Sequence, residues 1–110
     1  MKWTELLKAS TRAMSTRDKE MIDYVMRNGM FMTLDNLMDK IYETIKASKK
    51  LTQAQALKLF RENGTPMSTT FRATRYMIKY YLANSPNYEN RKVGKDEYGR
   101  NITEYRYTGE

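Results

Sequence analysis

The chain changes its hydrophobic rhythm after Asn84-Ser85-Pro86, and that change constrains the fold more than any other feature. Up to that point apolar residues recur three and four positions apart, the period of an amphipathic helix. Beyond it, residues suited to strands dominate over 88–95 and 102–108, and Thr103, Tyr105 and Tyr107 alternate with Ile102, Glu104 and Arg106. The stretch between them, DEYGRN, is a polar turn containing a glycine, so the C-terminal part reads as a two-stranded hairpin with one face against the helices. A set of helices must pack on a ribbon.

The helical part is punctuated clearly enough to divide. Trp3, Leu6, Leu7, Ala13 and Met14 predict a short amphipathic helix. Ser15 caps a second helix that buries Met21, Ile22, Val25 and Met26 and stops at Asn28-Gly29. Thr33 caps a third, with Asp35 near its positive end and a stripe of Leu34, Leu37, Met38, Ile41, Tyr42 and Ile45. Next comes LTQAQALKLFRENG: Thr52 and Gln55 match a capping box, Leu51 and Ala56 match a hydrophobic staple, and the predicted core face is Ala56, Leu57 and Phe60. Thr65-Pro66 restarts a helix over about 66–83, with Ser68 as an alternative cap. At 110 residues this is one mainly α domain with a C-terminal β-hairpin, divided into an N-terminal helical extension (1–32) and the remainder (33–110).

Absences narrow the chemistry. The chain has no Cys and no His, which excludes disulfides, thiolate or imidazole metal sites, and catalysis by either side chain. No spacing points to a carboxylate-only magnesium site or a Ser–Lys pair. The reading is a protein without catalytic residues, cofactor or metal. No apolar run approaches the roughly 20 residues that span a bilayer, and MKWTELLKAS lacks the apolar stretch of a secretory signal. A cytoplasmic protein is the expectation.

Charge then supplies a direction. The formal net charge is +7, which favours phosphate-rich partners, and its distribution is focused. Residues 52–84 hold five basic residues and one acidic residue, whereas 85–110 are balanced. On the helix over 66–83, Phe71, Thr74, Ile78 and Leu82 follow the inward spacing. Thr69, Arg72, Tyr76 and Lys79 follow the outward one, flanked by Thr70 and Arg75. The two arginines carry the planar fork that grips guanine or a phosphate bidentately. Ser68, Thr69 and Thr70 sit where hydroxyls can bond phosphates or base edges. On the hairpin, Lys95 and Arg100 flank the turn; Arg91 and Lys92 are offset by Glu89, Asp96, Glu97 and Glu104.

The order of LTQAQALKLFRENG, then TPMSTTFRATRYMIKYYL, then RKVGKDEYGRNITEYRY resembles the winged helix-turn-helix family over about residues 34–108. That resemblance implies a recognition helix in the DNA major groove and a wing on the backbone or minor groove. It implies a small prokaryotic or viral transcription regulator in which Ser68, Thr69, Thr70, Arg72, Arg75 and Tyr76 read or position the groove. Lys79 would hold phosphate, and Lys95 and Arg100 would serve the wing. The helix before Gly64 runs about a turn longer than in compact members. Two alternatives stay open: a winged-helix module that binds an acidic protein partner, such as a viral protein redirecting a host enzyme, and an RNA or single-strand binder using the nine tyrosines. The N-terminal helices either cover the domain's open side or pair two copies into a homodimer.

Overall fold

A computed structural model describes residues 14–66 and 70–109. Among these the chain forms four helices and a three-stranded antiparallel sheet in a mixed α and β arrangement that ends in a hairpin. The expectations on Trp3, Leu6, Leu7 and Ala13, and on pairing of two copies through them, lie outside the described residues.

Helix α1 (Thr16–Met26) starts where Ser15 Oγ accepts from the Asp18 amide at 3.1 Å. It buries Met21, Ile22 and Met26 completely, so this part of the 1–32 segment supplies the same core as the elements that follow. Strand β1 (Met32–Thr33) is only two residues long. Thr33 then caps α2 (Leu34–Ser48) by accepting from the Asn36 amide at 3.2 Å. Leu37, Ile41 and Ile45 are buried, with Leu34 and Met38 packed at the margin. Tyr42, expected on this stripe, is 52% exposed. It stands one residue, about 100° of helix rotation, beyond Ile41, and that step carries it off the buried face.

Helix α3 (Gln53–Asn63) has the predicted capping box. The Gln55 amide donates to Thr52 Oγ1 at 3.2 Å, and the Thr52 amide donates to Gln55 Oε1 at 3.0 Å. Gly64 ends it in the left-handed conformation, φ 69°, which costs glycine no Cβ clash. The packing differs from expectation. No residue of α3 is fully buried; Ala56 and Leu57 are half-buried, and Phe60 is 48% exposed. The apolar stripe sets one side of the helix apart, but the core is already closed by α1, α2 and the elements downstream.

The helix predicted over 66–83 is shorter. Pro66 is buried outside any helix, residues 70–74 are not helical, and α4 runs over Arg75–Asn84. Two interactions set this boundary. The Arg72 amide donates to Oδ2 of buried Asp18 at 3.3 Å, holding the segment away from helical geometry. Thr74, expected to face inward, is instead the N-cap: its Oγ1 accepts from the Met77 amide at 3.3 Å, and its own amide lies 3.4 Å from Met77 Sδ. Ala73 fills the inward position before the helix, and Ile78 and Leu82 fill those within it.

Strands β2 (Tyr88–Lys95) and β3 (Asn101–Tyr107) form the expected hairpin. The sheet order is β1-β3-β2, with Met32 opposite Tyr105 and Thr33 opposite Glu104. The ribbon thus supplies two strands of a three-stranded sheet, one strand more than predicted. A bulge between Lys92 and Gly94 leaves Val93 without a partner opposite, and Gly94 takes φ 139° there. Tyr105 and Tyr88 turn into the core. Asp23 of α1 accepts from the Tyr81 hydroxyl at 2.9 Å and from the Tyr88 hydroxyl at 2.5 Å. One carboxylate thereby ties α1, α4 and β2 together. Among the described residues no helix is long and apolar enough to cross a membrane.

Candidate nucleic-acid interface

With Ile78 and Leu82 turned to the core, helical geometry carries Tyr76 to the far side of α4 and Lys79 to its flank. Arg75, three residues before Ile78, stays at the core-side edge next to α2; all three are exposed. Tyr76 is 66% exposed, too much for a packing role. The helix contains no acidic residue. Its first two turns border a cleft of about 360 Å3 whose walls include Asp35, Arg75, Lys79, Asp96, Asn101 and Thr103. The basic side of α4 and the outer end of the hairpin therefore face one shared hollow.

The sequence-predicted site residues divide into groups. Ser68 and Thr69 lie outside the described residues. Thr70 and Arg72 are exposed but precede α4, on the segment tied to Asp18, so they do not extend its helical face. Arg75, Tyr76 and Lys79 come together on one surface. Lys95 stands at the end of β2 opposite Asn101, and Arg100 stands beyond the turn.

Ion pairs change the balance of charge over this surface. Arg75 Nη1 donates to Asp35 Oδ1 in an exposed salt bridge. On the hairpin, Arg91 pairs with Glu104 at 2.9 Å, and Arg106 pairs with Glu89. Both are directly opposite pairs in the strand register. The guanidinium carbons of Arg91 and Arg106 also lie 3.8 and 4.7 Å from the centre of the Phe31 ring. Among the described residues Lys79, Lys92 and Lys95 form no ion pair. The balanced total of the hairpin thus conceals an uneven surface, with arginines neutralised across the strands and lysines left facing solvent toward its outer end. Asp35 and Phe31 were not legible as contributors. Counting outward from the turn would not have found the cross-strand pairs, because the bulge between Lys92 and Gly94 shifts the register by one residue.

Arg100 differs from Lys95. Its Nε donates to Asp96 Oδ2 at 3.2 Å, and its guanidinium carbon lies 5.1 Å from the Tyr98 ring centre. Asp96 Oδ1 accepts from the amides of Tyr98 and Arg100, each at 2.9 Å. Arg100 therefore helps build the turn. The backbone donor of Arg100 holds the Asp96 carboxyl below the usual aspartate value; partial burial opposes this, and the Tyr98 amide and the Arg100 charge assist it. Because the folded value is depressed, the turn's stabilisation is complete above the unfolded value and is lost as pH falls through the folded one. In an acid titration followed by NMR, the Tyr98 and Arg100 amides should hold their positions until below about pH 4. Asp96→Asn should displace both at neutral pH.

Among the described residues no group of three or more carboxylates gathers where a metal ion could be held. Comparison of the chain with protein-family models, with curated proteins and with solved structures finds no match. The functional reading rests on this geometry and on the sequence.

Proposed function

We propose that the protein binds double-stranded DNA as a winged helix-turn-helix regulator, with α4 as recognition helix and the β2–β3 hairpin as wing. The observation that carries the reading is the cleft that Arg75 and Lys79 of α4 share with Asp96, Asn101 and Thr103 at the end of the hairpin, where Lys95, opposite Asn101, forms no ion pair among the described residues. A helix the length of α4 fits a major groove about 12 Å wide. The adjoining hairpin would then reach the flanking phosphates, where lysines act as point charges. In this reading the helix that backs α4 is α2, whose Leu37 and Ile41 share the core with Ile78 and Leu82. The capped helix α3 is an insertion between the two, which departs from the pairing expected from the sequence.

The test is a titration of the protein onto random-sequence duplex DNA at two salt concentrations, with a random RNA of equal length as control. Binding should weaken steeply with salt and favour the duplex. Lys95→Ala should weaken all duplexes alike and reduce the magnitude of the log–log salt slope by about one. Salt-insensitive binding, or tighter binding to the RNA, contradicts the proposal. A protein complex that survives nuclease, without DNA binding at low salt, would favour the interaction module instead.

A further inference from the structure

We infer that Asp35 positions Arg75 for base reading, an inference that rests on the DNA-binding proposal above. Arg75 opens α4, and Asp35 lies in the first turn of α2, forty residues earlier. Nη1 of Arg75 donates to Asp35 Oδ1, and the same nitrogen lies 3.8 Å from Met38 Sδ. Both partners belong to α2, so one helix steadies the side chain that the next presents. A guanidinium is planar and its donors form a rigid fork. Fixing one terminal nitrogen on two neighbours orients the other edge as well. Among the described residues Nε and Nη2 make no hydrogen bond, and the side chain stays 55% exposed. The fork is both held and available.

An acidic partner at this place favours reading over holding. A phosphate contact needs charge more than direction, and Asp35 subtracts charge where phosphates would approach. A bidentate contact to guanine O6 and N7 needs two N–H directions fixed together, which a buttressing carboxylate provides. Lys79, one turn further along α4, has no ion pair among the described residues. The two residues thus divide the work: Arg75 discriminates and Lys79 attracts.

The experiment compares two probes: a duplex recovered by selection from a random pool, and a random-sequence duplex of the same length. Asp35→Ala should bind the random duplex at least as tightly as the unsubstituted protein and lose about tenfold of its preference for the selected one. Asp35→Asn keeps a neutral acceptor and should lose less. Once Arg75 is replaced by Ala, Asp35→Ala should change the preference no further, because the two act as one unit. Asp35 is 77% exposed, and thermal melts of each variant verify folding. An unsubstituted protein that binds both duplexes equally overturns the inference. So does a preference that survives Asp35→Ala, or one that falls equally in the Arg75→Ala background. Each of these leaves DNA binding intact. Failure of the unsubstituted protein to bind either duplex at low salt overturns the DNA-binding proposal itself.

Discussion

Ile78→Ala is expected to lower the stability of the protein by about 2–5 kcal/mol, the range for truncating a fully buried aliphatic side chain. Ile78 is completely inaccessible and belongs to the same core cluster as Leu37, Ile41 and Leu82. Its side chain is what fastens α4 to the body of the protein. Removing three carbons leaves a cavity that the rigid helices around it close only in part. Chemical denaturation checks the loss as a lower midpoint with little change in slope. Because Ile78 faces away from the exposed side of α4, the folded fraction should still bind DNA, so stability and binding separate in this one variant. A loss under 1 kcal/mol would mean that α4 is not packed as described.

The second large effect is expected at Asp23. Its carboxylate accepts from the hydroxyls of Tyr81 and Tyr88, whose rings also meet edge to face with centroids 5.9 Å apart. Asp23→Ala strands both hydroxyls, and each buried group left unpaired costs about 1–3 kcal/mol. Tyr88, the more deeply buried, should account for more of the loss. The same contacts have a signature in alkali. Burial, and then the bond and charge of Asp23, push both phenols well above their ordinary value of 10.0. Their contribution is therefore whole below that value and declines as pH rises above it, since the unfolded chain gives up these protons first. Melting temperature should begin to fall near pH 10, before the two phenols ionise in the folded protein. Tyrosinate absorbance and circular dichroism, followed together, separate these events.

The local signals in the sequence reached the structure nearly intact. The stripe of α2, the capping box at Thr52 and Gln55, the left-handed Gly64 and both hairpin strands depend on neighbours within a few residues. What was not legible depends on residues distant in the chain. The two residues of β1 carry too little pattern to announce a strand and exist because Tyr105 and Glu104 pair with them. Helix α4 begins at Arg75 because Asp18 holds the Arg72 amide across 54 positions. Phe60 and Tyr42 show the limit of periodicity, which marks an apolar side but does not say what covers it. The candidate site followed the same division. Tyr76 and Lys79 were identified on the exposed side from spacing alone, whereas the Arg75–Asp35 pair required the fold to bring two helix starts together.

The central claim is that the exposed side of α4 and the outer end of the hairpin form one DNA-binding surface. The most direct measurement is a two-dimensional amide NMR titration with a random-sequence duplex at low salt. The account predicts shifts at Arg75, Tyr76 and Lys79 and over residues 92–101, while Met30, Glu43 and the amides of α3 remain in place. Shifts confined to α3 or to the outer side of α2, or none at stoichiometric duplex, would contradict it.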